Sequence, residues 1–218
     1  EFLFSGDVVL TCGYSKTVLE FLSKAKRATS SKDSQLIIFV LEHAPKYDGI
    51  EMVQQLKERH IGKVILISDA SIFAIMPKIS KVILSAHIVL ENGGFIGSSL
   101  TNAIALAAKH HSTPMIVLYW SLKLSDKMPR PFDSFTSLLT PLQVSKATEQ
   151  KSDSPCLLQT PISTNLQHKL TTLPSNIVVL NAEGDYIGPE YVSLYISDDG
   201  PVSPVDVYSS VQSAYNYQ

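Results

Sequence analysis

Residues Lys63–Ser85 read KVILISDASIFAIMPKISKVILS. Two β-branched runs, KVILIS (Lys63–Ser68) and KVILS (Lys81–Ser85), flank a stretch with helical spacing, Ile72–Ile79. Each run is apolar without alternation, as suits a strand buried on both faces of a parallel sheet. Parallel neighbours need a long crossover, and the intervening stretch supplies a short helix. Asp69 or Ser68 stands where a capping side chain would stand. Pro77 lies inside the helical stretch and must kink or end it early.

Outward from this unit the same alternation repeats. Further apolar runs occupy Asp7–Cys12 (DVVLTC), Gln35–Leu41 (QLIIFVL) and Met115–Tyr119 (MIVLY). Between them, Val18, Leu19, Phe21, Leu22 and Ala25 share one helical face, and Ile50, Val53 and Leu56 space a second. Ser98–His110 gives a fourth helix. Strand, helix, strand in repetition predicts an α/β fold: a doubly wound, Rossmann-like, mostly parallel sheet with helices on both faces and right-handed crossovers. After Trp120 the pattern weakens. Residues 121–175 contain 16 Ser+Thr and six prolines, with a possible helical turn near Phe135–Leu139. A structureless loop this long is uncommon inside a compact domain, so about 141–175 reads as a Ser/Thr/Pro-rich insertion. Order resumes at Asn176–Leu180 (NIVVL) and Val192–Ile196, with a last helix from about Pro204, where proline suits a first turn. The whole of 1–218 reads as one domain.

Composition narrows the function classes. Of 218 residues, 44% are hydrophobic and only 17% charged, against about 25% charged in an average domain. Disorder is excluded by the apolar content and the net charge of -2. Direct nucleic-acid binding is not expected, because 18 Lys+Arg face 20 Asp+Glu. No apolar run reaches the ~18 residues of a membrane span. Two cysteines, Cys12 and Cys156, form neither a disulfide framework nor a metal pattern. A reduced, cytoplasmic protein without cofactor is expected. Charge is uneven: residues 176–218 hold six acids and no Lys or Arg, either a solvated acidic face or a surface for a basic partner.

In open α/β sheets ligands bind outside the carboxyl ends of the strands. Those ends are Thr11–Lys16, Glu42–Gly49, Ser68–Ser71 and Glu91–Gly97 (ENGGFIG). The last could open a helix and offer amides to an anion, yet G-x-G-x-x-G is absent, and glycines for a tight turn explain it more simply. Cys12, at a strand end, has no histidine near it in sequence and reads as structural. His110 and His111 close a helix, where the dipole favours cations. Asp69 reads as a helix cap before it reads as a general base. Composition and spacing alone yield a cleft without a recognisable catalytic set.

The run SDASIFAIMPKISKVILSAHIVLENGG (68–94), followed by IALAAKHHSTPMIVL (104–118), closely resembles a family that joins two groups. One is the alpha, beta and delta subunits of translation initiation factor 2B. The other is the isomerases acting on methylthioribose 1-phosphate and ribose 1,5-bisphosphate. The likeness resumes at DYIGPE (185–190), where Gly188 stands at a family proline. Within the family, GYSKTVLEFL, SDASIFAIM and AAKHHSTP look most like the beta branch. The family's helical N-terminal domain is missing before the first strand, so the resemblance implies a C-terminal domain.

The resemblance also implies what the chain lacks. The isomerases use a cysteine after Thr-His at the first strand end; Gly13 falls there and Cys12 one residue early, and a one-residue slip turns the side chain to the other face. Their aspartate after Asn-Gly becomes Gly94, following Asn92 and Gly93. Their Glu-Thr-Arg-Pro becomes Glu42-His43-Ala44-Pro45, so Ala44 replaces the arginine fork that grips phosphate. The resemblance therefore implies a non-catalytic regulatory subunit of the exchange factor for initiation factor 2. Its implied partners are the alpha and delta paralogues, the catalytic gamma and epsilon subunits, and initiation factor 2 with its phosphorylated alpha subunit. Cys12, Gly13, Glu42, Asp69, Asn92, Gly93 and Gly94 would line a vestigial ligand cleft. Lys46, Tyr47, Asp48, His110, His111, Asp198 and Asp199 would lie on partner surfaces. The rival expectations are a remodelled isomerase and a sensor that binds a sugar phosphate or nucleotide without reacting.

Overall fold

The computed structural model describes residues 2–4, 6–28, 36–128, 138–139, 181–182 and 184–215. Its centre is a seven-stranded sheet built from β1 (Val8–Cys12), β2 (Ile37–Leu41), β3 (Lys63–Ile67), β4 (Lys81–Ser85), β7 (Met115–Leu118), β12 (Leu194–Ile196) and β13 (Pro201–Val202). Their spatial order is β13-β12-β7-β4-β1-β2-β3. All neighbours are parallel except the β12–β13 edge pair. The order reverses between β1 and β4, where a doubly wound sheet opens its crevice. The expected α/β architecture is the one observed.

Why the strands are apolar without alternation follows from the packing. Val9, Ile38, Val40, Ile83, Ile116 and Leu118 turn to one face and pack with Val18, Leu19 and Leu22 of α1 (Lys16–Ala28) and Met52 and Leu56 of α2 (Gly49–Glu58). Leu10, Leu41, Val82, Leu84, Met115 and Val117 turn to the other. There they meet Met76, then Ile104, Ala107 and Ala108 of α4 (Thr101–His110), and Val207 and Val211 of α5 (Val207–Tyr215). The central strands thus have a helix to face whichever way the pleat turns them. The edge strand β3, expected from its apolar run to be buried on both faces, leaves Lys63 and Leu66 exposed, because among the described residues nothing pairs beyond it in the sheet.

Pro77 acts as its chemistry demands. The α3 helix (Ile72–Ile75) lasts one turn between 3₁₀ turns at Asp69–Ser71 and Met76–Lys78. Neither Ser68 nor Asp69 caps it through its side chain, which corrects the reading of Asp69.

A second sheet was not visible in the sequence pattern. β5 (Ile88–Leu90) and β6 (Phe95–Ser98) form an antiparallel hairpin, extended by β8 (Leu124–Ser125) and β11 (Gly184–Ile187) in the order β11-β6-β5-β8. Glu91–Gly97 therefore does not open a helix at the end of a sheet strand; it supplies the turn and returning strand of this hairpin. Gly93 sits in the turn at φ 80, where a side chain is disfavoured. The Gly93 amide bonds the Leu90 carbonyl and the Gly94 amide bonds Asn92 Oδ1, so neither is offered to an anion. Ser98 belongs to β6, and the helix begins at Thr101. Of the expected turn at Phe135–Leu139, Leu138–Leu139 instead form β9, paired with β10 (Asn181–Ala182). The 141–175 insertion and the Asn176–Leu180 run lie outside the described residues.

Tyr195 ties the two sheets. Its ring lies edge-on to Phe95 and Tyr119, and its buried hydroxyl donates to the Gly93 carbonyl at 2.8 Å. Burial holds its phenol well above the ordinary tyrosine range, so the hydroxyl stays a donor. Replacing Tyr195→Phe orphans a buried carbonyl and should lower unfolding free energy by about 1–3 kcal/mol, read as a shift in the urea midpoint at unchanged slope.

Candidate functional site

The carboxyl ends of β1, β2 and β3 converge on the loop Glu42–Asp48, which leads from β2 into α2. Two carboxylates shape that loop from outside and inside. Asp69, after β3, accepts the His43 amide at 3.0 Å and the Ala44 amide at 2.7 Å. Backbone donors from another strand end thus hold the carboxylate, and the nearby helix start does not compete for it. Asp48, inside the loop, meets His43 Nδ1 at 2.8 Å. The Tyr47 amide returns to the His43 carbonyl, and Ser68 Oγ donates to Glu42. His43 (φ 60) and Tyr47 (φ 54) both hold left-handed backbone, which is uncommon outside glycine.

The side chain of His43 is 5% exposed, and both its ring nitrogens are engaged. An ionised carboxylate only accepts, so the hydrogen-bond network assigns the ring hydrogen to Nδ1. Nε2 is then left as an acceptor, facing Ser99 Oγ at 3.4 Å. Gly13, at φ +60, closes the third side. A Cβ placed there would lie 2.7 Å from Asp48 Oδ1 and 2.8 Å from His43 Nδ1. The His43–Asp48 pair fills the space a side chain at position 13 would need.

Cys12 packs partly buried against the core beside these groups. Burial, then the carboxylates of Asp69 and Asp48, push its thiol far above the ordinary range. A thiolate is the reactive form, so Cys12 is held as an inert thiol. Burial, with Glu42 and Asp69 nearby, likewise raises the Tyr47 phenol. Among the described residues no group of three or more His, Cys, Asp or Glu could hold a metal ion.

Of the cleft residues expected from sequence, Cys12, Gly13, Glu42 and Asp69 gather here. Asn92, Gly93 and Gly94 form the hairpin turn. Asn92 Nδ2 donates to the Tyr186 hydroxyl at 2.8 Å, Gly93 abuts Pro204, and Gly94 lies against Ile187 and Tyr186. The candidate surface residues divide. Lys46 and Tyr47 stand on the Glu42–Asp48 loop, and Asp48 turns inward to His43. His110 lies edge-on to His111 and tilted toward Phe73, all at the far end of α4. Asp198 and Asp199 both accept from Ser121, whose amide also bonds Asp198 at 2.9 Å, and this holds the Asp198 carboxyl below its ordinary range. Sequence reading missed Ser99 and the placement of the His43 ring. The one local signal was a histidine five residues before an aspartate in a single loop.

Asp69→Ala removes the acceptor for two loop amides. It should lower stability by about 1–3 kcal/mol and speed hydrogen exchange at His43 and Ala44 far more than at β4 amides; equal protection at His43 and Ala44 would refute the role given to Asp69.

Comparison with known proteins bears on this architecture. Translation initiation factor eIF2B subunit beta of Dictyostelium discoideum is 31% identical over 216 residues, covering 99% of this chain and 49% of that protein. Its counterpart in Schizosaccharomyces pombe is 32% identical over 218 residues, again covering 99% and 49%. The chain spans about half the length of these relatives. Solved structures share the fold, among them the following. The subunit delta of eIF-2B from A. fulgidus has a TM-score of 0.73 at 20% identity, covering 99% of this chain and 58% of that one. The eIF-2B of Pyrococcus horikoshii OT3 has 0.69 at 20%, covering 93% and 60%. The eIF2B beta of Chaetomium thermophilum has 0.61 at 23%, covering 97% and 49%. No helix among the described residues is long and apolar enough to cross a membrane. The model of the initiation factor 2 subunit family matches residues 1–204, nearly all of the chain from β1 to the start of the last helix, and the chain belongs to that family.

Proposed function

We propose that this chain is a regulatory, non-catalytic part of the guanine nucleotide exchange factor for initiation factor 2. The observation that carries the reading is its 31–32% identity, over 99% of its length, to two proteins named as the beta subunit of eIF2B. In this role it packs with alpha and delta paralogues into a core. The core associates with the catalytic gamma and epsilon subunits in the cytoplasm and senses the phosphorylated alpha subunit of initiation factor 2. Signal transfer is then a coupling free energy between the phosphoprotein site and the exchange site, carried by shifts between rigid subunits.

Three features of the cleft weigh against the isomerase reading. Ala44 offers no guanidinium to a phosphate, Gly13 has no room for a cysteine beside His43 and Asp48, and Cys12 is kept protonated by burial. The shortage of charge favours a protein role, since interface cores are depleted in charged residues. Lys46 and Tyr47 on the Glu42–Asp48 loop, with His110 and His111 at the end of α4, are the surfaces offered to partners.

Co-expressed with the delta paralogue, the chain within its full-length protein should co-elute as a stable hetero-oligomer. A protein that stays monomeric with alpha and delta alike refutes the assignment. With pentose phosphates no turnover is expected; turnover that disappears in Cys12→Ala would restore the enzyme reading.

A further inference from the structure

We propose that Ser99 is an activated hydroxyl nucleophile, a site of acyl transfer from activated esters, with His43 as its base and Asp48 orienting that base. This goes beyond the subunit role and does not depend on it.

The placement carries the proposal. Asp48 Oδ1 stands 2.8 Å from His43 Nδ1, and His43 Nε2 stands 3.4 Å from Ser99 Oγ. A carboxylate that fixes the Nδ1–H tautomer leaves the Nε2 lone pair facing a hydroxyl, the logic by which serine is activated on unrelated folds. The serine–histidine distance is long for a finished hydrogen bond, and such contacts commonly tighten in the reacting complex. Ser99 is partly exposed while His43 is buried, so the base is shielded from water and the nucleophile is not. The neighbouring Ser98 is otherwise engaged, near Thr101 Oγ1 and hydrogen-bonded with Cys12.

The backbone adds a second observation. Leu100, directly after Ser99, is held at φ 79, as His43 is at φ 60. Strained, non-glycine backbone of this kind gathers where side chains must be aimed. Ser99 also lies two residues before the start of α4, whose positive dipole end favours an oxyanion developing there.

The step balances without a co-reactant. Ser99 Oγ attacks the acyl carbon, its proton passes to His43 Nε2, and the ester C–O bond breaks. The leaving alkoxide takes that proton as the acyl–Oγ bond is completed.

The chain is mixed with p-nitrophenyl acetate, following nitrophenolate release and locating the acetyl group by peptide mass spectrometry; a fluorophosphonate serves as an independent probe. The expected result is a burst approaching one nitrophenolate per chain, acetyl on Ser99, and none there in Ser99→Ala. Asp48→Asn, folded by its circular dichroism spectrum, should slow acylation roughly tenfold or more. The proposal is overturned if neither probe labels Ser99, if the burst persists in Ser99→Ala, or if Asp48→Asn reacts at the parent rate.

Discussion

A sheet with no polar face must be covered twice, and everything else in this molecule answers to that requirement. Burying the side chains of β1, β4 and β7 in both directions supplies the main driving force at about 25 cal/mol per Å² of apolar surface. It also makes polar groups costly along those strands, since an unpaired buried polar group carries a penalty of its own. Thr11 in β1, 1% exposed and with no partner for its hydroxyl among the described residues, is the exception. Polar groups are therefore pushed to the strand ends. At the carboxyl ends of β1–β3 the chain concentrates Cys12, His43, Asp48 and Asp69, and all of the loop's shaping bonds are made there. The second sheet, α4 and α5 cover, in packing terms, the face that α1 and α2 leave open.

That requirement made the main sheet legible. A run such as MIVL, buried throughout in β7, has few conformations that bury every residue, and the central parallel strand is one of them. The second sheet was not legible for the opposite reason. Its strands are two to four residues long and half supplied by segments far apart, and a glycine-rich turn joins β5 to β6. HIVLENGGFIG resembled a strand end followed by a helix start, because three glycines serve both purposes equally well. What decided between them was tertiary: β11, some ninety residues later, pairs with β6 from Gly184 to Ile187.

The candidate cleft was legible only as a place in the fold. The topological rule that ligands gather at strand ends points to Cys12, Gly13, Glu42 and Asp69, and the fold brings these four together. It failed where a side chain's partner is remote. Asp69 looked like a helix cap because local bonding is the default for aspartate before a helix. Instead, amides 25 and 26 residues upstream claim both its oxygens. His43 could not be placed because its ring direction depends on a left-handed backbone at a non-glycine residue, which no residue pattern announces. Ser99, 56 residues beyond it, joins the group only once β6 delivers the chain to the start of α4.

The acidic end of the chain gains a physical reading from the same reasoning. Six acids without a Lys or Arg looked like a field awaiting a basic partner. In the fold, three of those acids already serve hydrogen-bond donors that are not cationic side chains. Asp185 accepts the Asn102 amide in the first turn of α4, where the helix dipole favours a negative charge. Asp198 and Asp199 close around Ser121 and its amide as the chain leaves β7. A carboxylate held by a backbone amide needs no lysine, so basic residues can be absent without leaving these charges unmet. The charge deficit of the whole chain thus has internal sources beside the interface role proposed for it: a doubly covered sheet with little place for charge, and acids whose partners are main-chain and hydroxyl donors. What it leaves for other proteins is a surface without lysine or arginine along residues 184–215, on which α5 and the β12–β13 edge are carried.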